Sequence, residues 1–112
     1  MDDLPQAGWK ETALLLFDYR TRYRVEGDSM APTLMPGDQV SVDERSEIFP
    51  GDIVVARHPF KKNVTMVKRV REIDEEGRYF LISDNLEGSS DSRSFGAVPK
   101  SHIVGTVTTR LL

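Results

Sequence analysis

Two short turns of one recipe, Pro36-Gly37-Asp38 and Pro50-Gly51-Asp52, punctuate the first half of the chain, and each opens onto a run suited to a strand. Proline presets φ and glycine supplies a backbone angle that other residues avoid, so each tripeptide reverses the chain. Behind the first, Gln39-Val40-Ser41-Val42-Asp43 alternates strictly and sets both valines on one face. Behind the second, Ile53 to Arg57 is rich in β-branched residues and reads as a buried strand. The pattern extends in both directions. Arg22 to Glu26 is a short strand candidate, Val64 to Ile73 a longer one, and Asp74-Glu75-Glu76-Gly77 a charged turn into Arg78 to Ile82. Ile103 to Leu111 closes the chain as a last strand.

One helix is predicted over Trp9 to Tyr19, with Pro5 and Gly8 ahead of it. The expected fold is mainly β with one short N-terminal helix. Residues 1–20 form the helical segment and 21–112 a single β-rich domain. No repeat, low-complexity tract or linker divides the chain, and 112 residues suit one domain. The stretch Ser83 to Ser94 is polar and irregular, and a long loop inside a small β domain is often functional.

Composition removes several classes of function. A formal charge of −3 supplies no basic footprint for nucleic acid. The absence of cysteine excludes disulfides, a cysteine nucleophile and thiolate metal sites, and it fits a reducing compartment. The longest early apolar run, Ala13 to Phe17, is bracketed by Glu11 and Asp18 and is too short to span a membrane. The start is acidic (Asp2, Asp3), unlike a secretory signal. The run is expected to pack on the domain, with shallow membrane contact through Arg20, Arg22 and Arg24 as the alternative. A cytoplasmic location is expected, with no cofactor and no metal site.

Lys68 is out of keeping with its strand. Val64, Met66, Lys68 and Val70 share one face of the alternation, and Thr65, Val67, Arg69 and Arg71 share the other. A lysine among apolar neighbours loses hydration, which lowers its pKa and makes a general base available near neutrality. The alternative is a snorkelling lysine with its stem on the sheet and its ammonium in water. Periodicity leaves both open.

Ser29 lies in Gly27-Asp28-Ser29-Met30-Ala31-Pro32-Thr33-Leu34. Gly27 frees the backbone before the serine and Pro32 stops any regular element after it, so the hydroxyl is displayed on a tight turn. There its own N–H can point at a developing oxyanion. A hydroxyl needs a neighbouring base to become a nucleophile. The G-x-S-x-G elbow is absent, which argues against an α/β-hydrolase.

The segment Gly27 to Leu34 resembles the nucleophile box of type I signal peptidases and their relatives. Val67-Lys68-Arg69-Val70 resembles the lysine box. Ser83-Asp84-Asn85-Leu86-Glu87-Gly88-Ser89-Ser90-Asp91-Ser92-Arg93-Ser94-Phe95-Gly96 resembles the third box, and Val98-Pro99 and Ile103-Val104-Gly105 follow it. The blocks stand in the family's order and cover roughly Tyr23 to Val107. Within that family, Arg22 to Met30 and Pro50 to Pro59 are most similar to the short members that mature nickel-type superoxide dismutase. They do so by removing its N-terminal propeptide.

The resemblance implies a signal-peptidase/SOS-repressor-like β domain and a serine endopeptidase with a Ser/Lys dyad. Ser29 is then the nucleophile and backbone oxyanion donor, and Lys68 the general base. Ser89 would orient the lysine amine. Asp91 and Arg93 would brace the site, with Arg69 and Asp84 in the same network. Asp28, Met30 and Pro32 would contact substrate. The implied partner is the nickel superoxide dismutase precursor, the nickel belonging to that substrate. Two positions depart from the family pattern. Gly27 stands where some members carry a serine that completes the oxyanion hole, and Ser83 replaces the glycine that usually opens the third box.

Four other readings compete. A Ser–His pair would use His58 or His102, both of which read as surface or structural residues. A self-cleaving repressor shares the Ser/Lys logic, but its DNA-binding domain has no room here. A general signal peptidase would act on exported pre-proteins. A non-catalytic β module would only bind a peptide strand.

Overall fold

The computed structural model describes residues 21–111, so the predicted helix over Trp9 to Tyr19 lies outside the described residues. Six strands form: β1 (Thr21–Arg24), β2 (Gln39–Asp43), β3 (Ile53–Arg57), β4 (Thr65–Ile73), β5 (Tyr79–Ile82) and β6 (Ile103–Leu111). They make one antiparallel sheet in the order β1-β2-β6-β3-β4-β5. The mainly β architecture expected from the turn pattern is the one observed. The last strand runs up the middle, between β2 and β3. This crossing is close at Gly105, where a β-carbon would lie 2.7 Å from the Asp43 carbonyl oxygen and 2.8 Å from Val42 Cγ1.

Both proline-glycine turns work as their residues dictate. Gly37 and Gly51 hold φ of 91° and 97°, in the region that disfavours a side chain. The Asp38 and Asp52 carboxylates accept the backbone N–H of Met35 (2.9 Å) and Phe49 (2.8 Å), closing each turn from within.

β3 is buried on both faces and separates two apolar clusters. Ile53 and Val55 pack with Val40, Val42, Val67 and Val107, and with Val25, Met30 and Leu34 from the segment after β1. Val54 and Ala56 pack on the other side with Val70, Tyr79, Leu81 and Val98. The alternation of β4 therefore sends Val67 into the first cluster and Met66, Lys68 and Val70 toward the second, with Lys68 opposite Val54.

Two strand edges are left open among the described residues. β1 pairs only with β2, and β5 covers β4 only from Arg69 onward, leaving 65–68 with β3 alone. The Tyr23 hydroxyl of β1 meets the Thr65 hydroxyl of β4 at 3.2 Å, so these edges approach each other. The polar stretch after β5 contains a single helical turn, α1 (Ser92–Phe95), capped by the Asp91 side chain. A 3₁₀ turn, Lys100–His102, leads into β6.

Candidate active site

Lys68 is 3% exposed, which removes the snorkelling alternative. Its Nζ donates to the Ser83 hydroxyl at 2.9 Å. Burial lowers its pKa from the ordinary 10.5, Asp91 pulls it back up, and Arg93 lowers it again. Desolvation leads because Met66, Val54 and Val70 supply no dipoles to replace water.

Ser29 is half-buried on the turn between β1 and β2. Gly27 holds φ of 73° just ahead of it, and the Ala31–Pro32 peptide is cis. The turn closes on itself through Ala31 N–H to Asp28 C=O (3.1 Å) and Leu34 N–H to Met30 C=O (2.9 Å). Among the described residues the Ser29 N–H has no backbone acceptor, which leaves it available to an oxyanion.

Three consecutive residues beyond β5 tie the serine turn to the lysine strand. Ser83 takes the Lys68 amine. The Asp84 carboxylate receives Arg69 Nε and a second Arg69 nitrogen, both at 2.8 Å, and the Thr33 hydroxyl at 2.6 Å. The Asn85 N–H donates to the Ser29 carbonyl at 2.8 Å, and its side-chain amide donates to the Asp28 carbonyl at 3.1 Å. Two residues span about 7 Å at most, so the amine's partner and the serine's partner are close. The pairing with Arg69 and Thr33 holds the Asp84 carboxyl below the usual range, against the opposing effect of its burial.

The remaining expected residues divide. Asp91 is fully buried and accepts the Ser83 N–H at 2.9 Å. Its other oxygen accepts Arg93 N–H at 3.0 Å and Arg93 Nε at 2.8 Å. Burial opposes ionisation here, but these donors overcome it and lower the carboxyl to about 2. Ser89 does not reach the lysine. Its hydroxyl donates to the Asn85 carbonyl at 2.5 Å, and Ser83 stands in the place expected for it. Met30 is 1% exposed and belongs to the core, so it anchors the turn and offers substrate no side chain. Asp28 and Pro32 are exposed beside Ser29. Sequence reasoning assigned no role to Thr33 or Asn85. The only signal for Ser83 was its departure from glycine.

The histidines are engaged elsewhere. His58 Nδ1 accepts the N–H of Phe60 and of Lys61, both at 3.0 Å, and its ring packs on Phe95 with centroids 5.0 Å apart. Burial, then Lys61 and Lys68, lower its pKa and so favour the neutral ring. His102 Nδ1 faces the Arg57 carbonyl at 3.3 Å.

One six-stranded sheet thus sets a buried lysine and a turn serine against the same three residues, Ser83 to Asn85. Residues 18–108 match the family described as Peptidase S24-like, and the chain belongs to that family. It is 33% identical over 108 residues to mitochondrial inner membrane protease subunit 1 of Xenopus tropicalis, covering 76% of this chain and 65% of that protein. It is 32% identical over 111 residues to mitochondrial ATP-independent inner membrane protease subunit 1b of Arabidopsis thaliana, covering 76% and 66%. The Homo sapiens subunit 1 is 30% identical over 104 residues, covering 72% and 63%. The chain thus spans about two thirds of the length of these relatives. Their names overturn the cytoplasmic location expected above, because they are proteases of a membrane. Nor do those names mention superoxide dismutase. Among the described residues no helix is long and apolar enough to cross a membrane.

Proposed function

We propose that this chain is a signal-peptidase-like serine endopeptidase that trims pre-proteins at a membrane, with Ser29 as nucleophile and Lys68 as general base. The observation that carries the reading is the Ser83-Asp84-Asn85 staple, which joins the buried amine to the backbone of the turn serine. The membrane setting is carried over from the relatives.

Neutral Lys68 takes the Ser29 proton as Oγ attacks the scissile carbonyl carbon. The oxyanion leans on the Ser29 N–H. The C–N bond then breaks, the Lys68 ammonium gives its proton to the leaving amine, and an ester to Ser29 remains. Water, deprotonated by Lys68, attacks that ester, and the same proton returns to Oγ as the acid departs. Substrate enters as an extended strand between residues 65–68 of β4 and the edge of β1 that is open among the described residues, adding backbone hydrogen bonds to both.

The propeptide of nickel superoxide dismutase is the narrower substrate, and it rests on the resemblance of Arg22 to Met30 and Pro50 to Pro59 alone. The full chain is incubated in parallel with that precursor and with a pre-protein carrying an export presequence, and product N-termini are read by mass spectrometry. Cleavage of the second is expected, and Ser29→Ala and Lys68→Ala each abolish it. Full processing by Lys68→Ala at neutral pH sinks the dyad.

A further inference from the structure

The third box opens on a serine where the resemblance has glycine, and that serine is the residue the lysine touches. Ser83 and Lys68 are 2% and 3% exposed, so their 2.9 Å hydrogen bond is shielded from competing water. Ser89 is occupied with the Asn85 carbonyl. We infer that Ser83 is the positioning residue for the Lys68 amine, a role that rests on the Ser/Lys reading above.

A neutral amine has two N–H bonds and one lone pair, and it rotates freely about Cε–Nζ unless something pins it. Base chemistry needs the lone pair turned toward the Ser29 hydroxyl. An N–H fixed on Ser83 Oγ narrows that rotation, and a glycine at 83 offers no side-chain acceptor. Ser83 can serve because it is itself held. Its N–H donates to Asp91 Oδ2 at 2.9 Å, while Arg93 secures Oδ1. Two residues earlier, the Leu81 N–H donates to the Ser92 hydroxyl at 2.8 Å. The exit of β5 is thus tied twice to the Asp91-Ser92 segment, which fixes the backbone that carries the Ser83 hydroxyl.

The test is acylation of the full chain by a penem β-lactam, with rate against pH for wild type, Ser83→Ala, Ser83→Gly, Ser89→Ala and Lys68→Ala. The charged groups acting on Lys68 are Asp91, which raises its proton affinity, and Arg93, which lowers it; the titratable His58 ring is in turn held down by burial, then by Lys61 and Lys68. For Ser83→Ala the plateau acylation rate falls roughly 10- to 100-fold, as expected of a misaligned base. The apparent dissociation constant of the β-lactam stays within twofold. The midpoint of the rise moves to lower pH, because the hydroxyl bonds the ammonium more strongly than the neutral amine. Ser83→Gly falls alike and Ser89→Ala falls less than either. A plateau in Ser83→Ala within twofold of wild type overturns the inference, as does a larger loss in Ser89→Ala. Wild-type acylation by Lys68→Ala overturns the dyad itself, a result distinct from a silent Ser83→Ala beside an inert Lys68→Ala.

Discussion

Replacing Asp91 by asparagine isolates the charge at the most buried carboxylate of the site. Asparagine caps a helix about as well as aspartate, so α1 keeps its cap. Its amide oxygen can still accept from Arg93, but its NH2 then faces the Ser83 N–H and leaves that donor unsatisfied. The carboxyl is displaced from 3.8 to about 2, which favours the folded state by about 2 to 3 kcal/mol at neutral pH. The sign follows from the direction. A depressed carboxyl contributes in full above its unfolded value and loses that contribution as pH falls through its folded value. About half remains at pH 3. Urea unfolding of both proteins from pH 7 to pH 3 should therefore give a gap of about 2 to 3 kcal/mol that narrows on acidification. Equal stability at pH 7, or a gap that does not change with pH, would refute the reasoning.

Asp84→Ala strands the Arg69 guanidinium, 15% exposed, and the Thr33 hydroxyl. It should cost about 2 to 3 kcal/mol in urea unfolding, less than for a fully buried pair, with Asp84→Asn in between. Gly105→Ala pushes a methyl group into the Asp43 backbone and should lower stability by about 1 to 3 kcal/mol in thermal melts. The cleavage rate should rise with pH through a midpoint below the ordinary lysine value of 10.5, since the active amine is neutral. In Asp91→Asn that midpoint should move further down, as the anion that raises it is gone; a midpoint that follows substitution of His58 instead would point to histidine.

The strands were legible because their turns carry their own chemistry. Pro36 to Asp38 and Pro50 to Asp52 fix where β2 and β3 begin, and the observed bounds are those read from the alternation. The first strand was offset, expected at Arg22 to Glu26 and found at Thr21–Arg24, because beyond it Val25 bonds the Gly37-Asp38 turn rather than β2. Strand order was not legible, since the central place of β6 is set by which faces must be buried together. The apolar face of Lys68 could be read from period two. Its partner could not: the resemblance pointed to Ser89, whereas Asp91 holds the Ser83 N–H and the amine bonds the Ser83 hydroxyl. Met30 was expected to contact substrate, yet the turn buries it in the core.

Among the described residues the outer border of β1, which the proposed reading offers to a visiting backbone, is equally open to a second copy of itself. On β1 the guanidinium side chains of Arg22 and Arg24 are exposed along that border. Two such borders zipping together would crowd four like charges, which natural sheets use to deter self-association. On the proposed reading, the same hydrogen-bonding row receives foreign chains while repelling its own kind, and that repulsion weakens as salt screens it.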